Sequence, residues 1–300
     1  MYASIFPMFL IVILGYVIRR FWISNDSFWS SLSSLSINLL FPVAIFNYLF
    51  RADLKSYSSL TLVLILVLIT LVLLSFLFFI QFRIFYPINK LTACFQGLIR
   101  YNSYVFFGIG SFIFNDLGMQ LVAIISFYMI IFVSILTSLF YAFHSKEKLN
   151  VVFKNFVKNI LFDPVSISLF LSAFFNFYNI CLTDAIQKSL HLIGNSALLV
   201  GNLTVGGSLI LQIKDFRCVL FISFMKLILS PFIAFILLNL FDVQGVIKDV
   251  IILYASLPIG NSAVPIIRQF NGDYELMSSI TTTTILISLL TIPIVLRLFL

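Results

Sequence analysis

The stretch from Ser58 to Phe82 is almost wholly aliphatic and aromatic, and runs like it recur along the chain. Each is long enough to cross the hydrocarbon of a bilayer as a helix. At that depth no water satisfies backbone N–H and C=O groups, so each run must pair its own, as a helix does. Composition leaves no soluble alternative: 61% of residues are hydrophobic and 10% charged, against about 25% charged in ordinary soluble domains. Too few polar residues remain to cover a soluble surface. The sequence is that of an all-α polytopic membrane protein.

Ten spans are expected, at about Tyr2–Ile18, Leu35–Phe50, Ser58–Phe82, Leu91–Phe114, Leu117–Phe143, Ile160–Tyr178, Ile186–Leu211, Phe216–Leu240, a ninth around residues 255–273, and Leu276–Leu298. The net charge is +7. Its basic residues sit in short loops, where they report topology and not nucleic-acid binding. Eleven follow odd-numbered spans: Arg19, Arg20, Arg83, Lys90, Lys146, Lys148, Lys154, Lys158, Lys214, Arg217 and Arg268. Five lie on the other side: Arg51, Lys55, Lys188, Lys248 and Arg297. This places the odd loops, including the polar loop from His144 to Lys158, in the cytoplasm, and both termini outside an inner or plasma membrane. Arg19 and Arg20 follow the first apolar run and do not precede it, so that run is expected to be a retained span and not a signal peptide.

The ninth run has a different character. Residues 255–273 read Ala-Ser-Leu-Pro-Ile-Gly-Asn-Ser-Ala-Val-Pro-Ile-Ile-Arg-Gln-Phe-Asn-Gly-Asp. Pro258 and Pro265 each remove a backbone donor. Gly260 adds freedom, and Asn261 and Ser262 are cap residues. The pattern predicts a helix that stops near Gly260 and restarts near Pro265; the alternative is a plain proline kink. Broken backbone at membrane depth is tolerated where it is buried in protein or lines a cavity, which in transporters is the substrate site.

The chain also overlies itself. A shift of 157 puts Pro7 on Pro164 and Asn38 on Asn195; a shift of 156 puts Phe114-Asn115 on Phe270-Asn271. Gly108-Ile109-Gly110 then overlies Val264-Pro265-Ile266, so a matching break is expected at Gly108 and Gly110. The chain divides into residues 1–150 and 151–300, each a five-span repeat. Five is odd, so the second repeat is inverted in the membrane.

These residues resemble those of the auxin efflux carrier family, in its short bacterial permease form, over essentially the whole chain. Phe6-Pro7 with Leu14-Gly15-Tyr16 and Arg19-Arg20 is similar to the family's first span. Asn38-Leu39-Leu40-Phe41-Pro42 with Ile45-Phe46 resembles its second, Arg100-Tyr101-Asn102-Ser103 through Phe107-Gly108 its fourth, and Lys226-Leu227 with Pro231 its eighth. Leu257-Pro258 to Asn261-Ser262, then Gly272-Asp273, resembles its ninth. The family's Gly-Leu-Pro in the fourth span is Gly108-Ile109-Gly110 here. The resemblance implies two inverted five-helix repeats with broken, crossing helices 4 and 9. It implies a homodimer, a scaffold of spans one, two, six and seven, and a transport domain that moves like an elevator. It also implies export or exchange of small organic anions such as carboxylates.

An anion carrier needs positive potential that does not trap its cargo. Helix N-termini supply partial charge, so Asn261, Ser262 and the amides before Pro265 are candidates to hold a carboxylate; otherwise they only cap a half-helix. Lys226, deep in span eight, either meets the anion or snorkels to the interface. Arg100, beside Asn102, either contacts the carboxylate or lines a cytoplasmic vestibule. Asn38 and Asn195 either contact substrate or join helices. Gly206-Gly207 reads as a close helix contact, and the Thr281 to Thr284 run as helix packing. No deep carboxylate offers a proton relay or a charged sodium site. Cys94, Cys181 and Cys218, with His144 and His191, show no metal or redox spacing, and no cofactor is implied. Paired acids, a Ser-His arrangement, a zinc motif and a phosphate loop are all missing, so an enzyme is not expected. The competing function is a sodium-coupled symporter of bile-acid-transporter-like architecture, using neutral oxygen ligands.

Overall fold

The computed structural model describes residues 2–52, 59–84, 86–144, 162–210, 213–269 and 271–299, and every regular element among them is helical. The loop expected after His144 lies outside the described residues. α1 (Tyr2–Val17) continues into a π-helical turn at Ile18–Trp22. α2 (Asp26–Leu35) begins where the Asn25 side chain accepts a hydrogen bond from the Ser27 N–H at 2.8 Å. This cap starts the second helix well before the apolar run at Leu35, because it satisfies a donor that the helix end leaves orphaned. A second π turn, Ser36–Leu40, leads into α3 (Phe41–Leu49). There follow α4 (Ser59–Ile84), α5 (Ile88–Ile99), α6 (Ser103–Ile113) and α7 (Asp116–His144). α8 (Pro164–Phe177) is capped by Asp163, which accepts from the Ser166 N–H at 2.9 Å. α9 (Asp184–Gly207) and α10 (Phe216–Phe224) come next; a third π turn, Met225–Leu229, joins α10 to α11 (Ser230–Leu240). The chain closes with α12 (Val246–Ala255), α13 (Ala263–Gln269) and α14 (Tyr274–Phe299). Among the described residues, five stretches are long and apolar enough to cross a membrane: Ile5–Trp22, Asp26–Leu49, Asp116–His144, Phe216–Leu240 and Tyr274–Phe299.

Helix starts recur with a constant spacing. Asp26, Ile88 and Asp116 each lie 158 residues before Asp184, Val246 and Tyr274, the starts of α9, α12 and α14. The backbone therefore carries a half-chain periodicity that few side-chain identities reveal.

The chain forms two compact units, and each is built from both halves of the sequence: Ser59–Phe106 with Leu209–Leu300, and Ala3–Ser58 with Phe107–Ser208. The second of these is held by close backbone approach. Gly206 lies where a Cβ would sit 1.8 Å from the Val12 carbonyl oxygen, and Gly207 where it would meet the Trp29 ring at 2.5 Å. Gly194 faces Ala44, and Gly15 faces the Leu203 carbonyl. Small residues let helices approach where burial offers little drive between apolar faces in lipid. The Gly206-Gly207 pair is thus a helix contact. Side chains add to it: Ser168 Oγ donates to the Pro42 carbonyl, and Asn176 Nδ2 to the carbonyls of Phe50 and Ala52 at 3.0 and 2.6 Å.

In the first unit, hydroxyls of α14 satisfy backbone donors of irregular segments. Thr282 Oγ1 accepts from the Ile210 N–H at 3.1 Å and Ser279 Oγ from the Lys214 N–H at 3.0 Å. Thr284 Oγ1 accepts from the Ile259 N–H at 3.3 Å. Of these three residues Ile259 is fully buried, where a non-helical backbone requires a partner of this kind.

Candidate functional site

Two helices of the first unit are interrupted, and their interruptions touch. α5 stops at Ile99; Arg100 takes an extended conformation, φ −87° and ψ 150°. Asn102 then caps α6, its Oδ1 accepting from the Val105 N–H at 3.2 Å. α12 stops at Ala255, and α13 starts at Ala263, with Pro258 and Gly260 in the irregular segment between them. The Asn102 N–H donates to the Pro258 carbonyl at 2.9 Å. A Cβ at Gly260 would lie 2.6 Å from the Tyr101 carbonyl oxygen, so only glycine allows the two backbones this close. The rings of Tyr101 and Phe106 pack on Tyr254 with centroids 4.9 and 5.7 Å away.

One expectation is corrected here. Gly108 and Gly110 do not break a helix; both lie inside α6. Their missing side chains serve packing instead: a Cβ at Gly108 would meet Asn202 Nδ2 at 2.8 Å, and one at Gly110 the Met119 sulfur at 3.1 Å. A helix tolerates glycine while its ladder is intact, whereas a cap residue offers the backbone a rival partner. The interruption falls at Arg100-Tyr101-Asn102, and the 158-residue spacing sets those three residues against Pro258-Ile259-Gly260. The ninth run also breaks over a longer stretch than expected, from residue 256 to residue 262. Pro265 is the third residue of α13.

Lys226 lies in the π turn between α10 and α11 and is 3% exposed. Its Nζ donates to the Leu98 carbonyl at 3.3 Å. Leu98 is in the last turn of α5, where carbonyls lack intrahelical donors and the helix dipole is negative. The side chain is therefore buried in protein and not extended to a surface. Arg100 Nε donates to Gln96 Oε1 at 2.6 Å, one turn back and fully buried. Asn102 is 1% exposed, and its Nδ2 meets no acceptor among the described residues. Asn261 is half-buried and Ser262 exposed.

The structure thus gathers Arg100, Asn102, Lys226, Pro258, Gly260 and the Asn261–Ser262 turn into one unit. Asn38 and Asn195 belong to the other. Both are exposed and bond within their own helices, Asn38 Nδ2 to Ser34 Oγ at 2.9 Å and Asn195 Nδ2 with His191 Nδ1 at 3.3 Å. Sequence reasoning gave no site role to Tyr101, Gln96, Thr284 or the Leu98 carbonyl. The available signal was Asn102, a cap residue directly ahead of an apolar helix.

One end of the first unit is tied by charge. Lys90 pairs with Asp215; Lys214 pairs with Asp273 and with Glu275, both at 3.0 Å. The Asp273 N–H donates to the Asn89 carbonyl at 3.1 Å. The hydrogen bond from Lys90 holds the Asp215 carboxyl below its ordinary value, against partial desolvation. Hydrogen bonds to Asp273 and Glu275 raise the exposed Lys214 ammonium.

Broken backbone buried against broken backbone, among described residues whose regular elements are all helical, is an arrangement that membrane carriers use. The chain belongs to the membrane transport protein family, that of the auxin efflux carriers, whose model matches residues 1–296. Comparison with curated proteins gives no match. Members of this family are transporters and not enzymes, and the chain is accordingly a multi-pass membrane transporter.

Proposed function

We propose that the protein is a secondary carrier that exports small organic anions such as carboxylates by alternating access of an elevator-like transport domain. The observation that carries this reading is the buried Lys226 ammonium beside the interruption of α5. A buried charge is costly unless paired. Among the described residues no carboxylate lies within 4.0 Å of it. A carboxylate substrate would complete the pair, and Asn102 Nδ2 is a further donor awaiting an acceptor. Arg100 and the Asn261–Ser262 turn ahead of Pro265 would extend the site; no metal or cofactor enters the scheme.

In the same scheme residues 1–150 and 151–300 are inverted five-span repeats. The constant spacing of helix starts supports this, as does the meeting of the segments around residues 89, 215 and 273 at one charged end. That end faces the cytoplasm of an inner or plasma membrane, and the termini face outside. The protein acts as a homodimer. Asn38 and Asn195, exposed polar residues of the second unit, are then helix-joining groups of the dimer and not substrate ligands.

A sodium-coupled symporter is the competing reading, favoured by Thr281 Oγ1, which is buried without a partner among the described residues and offers a neutral oxygen. Purified protein in sealed proteoliposomes separates the two. An inside-negative potential drives anion export by about 2.3 kcal/mol per charge per 100 mV. With a labelled dicarboxylate and monocarboxylate panel, flux should follow an imposed potassium diffusion potential and ignore a sodium gradient. A strict sodium requirement at zero potential would give the symporter, and no flux of any carboxylate would reject the anion reading.

A further inference from the structure

Cys94 and Cys218 are separated by 124 residues in sequence, yet their sulfurs lie 3.2 Å apart. Both thiols are free and buried, Cys94 at 0% exposure and Cys218 at 2%, while Cys181 is exposed. The contact belongs to a seam between α5 and α10. A Cβ at Gly97 would meet Ile222 at 3.0 Å, and the Leu98 carbonyl accepts from Lys226. Residue numbers rise together on both sides, Cys94 with Cys218, Gly97 with Ile222 and Leu98 with Lys226, so the two helices run parallel. Glycine at position 97 lets them approach closely enough for the thiols to meet. A disulfide needs its sulfurs at about 2.05 Å, so the closure required is about 1.2 Å, within reach of side-chain rotation.

We propose that Cys94 and Cys218 form a redox-modifiable pair that hydrogen peroxide, small and neutral, joins into a disulfide, clamping α5 to α10 one turn along α5 from the Leu98–Lys226 contact. Two features favour reaction over inert burial. Cys218 is the third residue of α10, with its N–H bonded to the capping Asp215 carboxylate at 3.2 Å. Lys90, paired with that same Asp215, stands one turn before Cys94 on α5. Helix N-termini and neighbouring lysines are where reactive thiols occur. The step balances. One thiolate attacks the peroxide O–O bond, giving a sulfenic acid and releasing hydroxide, which takes up the proton already lost and leaves as water. The second thiol then attacks the sulfenic sulfur and expels a second water. Each sulfur loses one electron, and the peroxide takes both. In a reducing compartment the pair rests as dithiol, and reductant reverses the bond.

The test uses the full-length protein in proteoliposomes, treated with hydrogen peroxide, then unfolded, blocked with a maleimide and digested without reduction. The expected product is a linked peptide pair containing Cys94 and Cys218, 2 Da lighter than the two free peptides together and lost on reduction. Cys181 should carry the maleimide. Cys181→Ser should leave the linked pair intact and Cys94→Ser should abolish it. A second readout is stability in detergent: peroxide should raise the apparent unfolding temperature of the parent by several degrees and leave Cys94→Ser unmoved. Recovery of Cys94 and Cys218 both maleimide-labelled, or each separately as a sulfinic acid with no linked peptide, would overturn the proposal.

Discussion

The contact between the interruptions makes Gly260→Ala the sharpest perturbation of this protein. The new Cβ would stand 2.6 Å from the Tyr101 carbonyl oxygen, 3.3 Å from its carbonyl carbon and 3.5 Å from the Asn102 Cα, all backbone atoms. Carbon and carbonyl oxygen pack at about 3.3 Å or more, so one segment must move by about 0.7 Å. Overpacking of a tight interior costs about 1–3 kcal/mol. The same displacement strains the 2.9 Å hydrogen bond from the Asn102 N–H to the Pro258 carbonyl, adding about 1 kcal/mol. The expected loss is therefore about 2–4 kcal/mol, together with reduced transport, since Asn102 moves as well. Gly110→Ala is the paired control. Its Cβ would meet the Met119 sulfur at 3.1 Å and a Val122 methyl at 3.2 Å. The methionine end can swing away, and alanine gains about 1 kcal/mol of helix propensity over glycine. The net effect there should be near zero. Apparent unfolding temperature in detergent and carboxylate efflux from proteoliposomes, measured on both variants, decide the matter. If Gly260→Ala behaves as the parent and Gly110→Ala is the damaging change, the interruptions do not meet at Tyr101 and Gly260, and the reasoning fails.

Three further outcomes are expected. Lys226→Met should lower carboxylate affinity by at least tenfold in a direct binding titration while the protein stays inserted; unchanged affinity would place the anion elsewhere. Asn261→Ala should lose one side-chain hydrogen bond, about 0.5–1.5 kcal/mol, rising to about 1.5–3 against a charged carboxylate, read as a roughly tenfold weaker carboxylate dissociation constant; parental binding would restrict this turn to a structural role. Asp215 gives a pH signature. Its folded-state value is lowered by Lys90, so the stabilisation is fully present above the unfolded carboxylate value near about 3.9 and is lost as pH falls through the lowered one. The pair lies partly in solvent, so the effect should stay within about 1 kcal/mol. Unfolding temperatures at pH 7 and pH 3 should differ less in Asp215→Asn than in the parent, and equal differences would remove Asp215 from the account.

The sequence alone determined that this is a helical membrane protein, where most of its helices lie, and that the ninth run is broken. Those features are local. An apolar run at bilayer depth has helix as its way to pair its own backbone. Pro258 with the Gly260-Asn261-Ser262 cluster interrupts a helix through its own covalent and hydrogen-bonding chemistry, whatever surrounds it. Caps are local too: Asn25 and Asn102 each bond an amide two or three residues on, a signal that the apolar pattern alone does not carry. Tertiary structure decided the rest. Gly108 and Gly110 read as breakers by residue type, but whether a glycine breaks a helix or admits a neighbour depends on what lies across from it, and here Asn202 and Met119 do. That Lys226 is buried in protein, with its Nζ on the Leu98 carbonyl 128 positions away in sequence, follows only from how those two helices meet. The threonines of α14 were packing residues by composition; that they hold the Ile210 and Ile259 amides follows only from where those amides arrive. The assembly of each unit from both halves of the chain is likewise invisible to any window of sequence, because it is set by contacts between residues far apart in the chain and not by the propensities of neighbours.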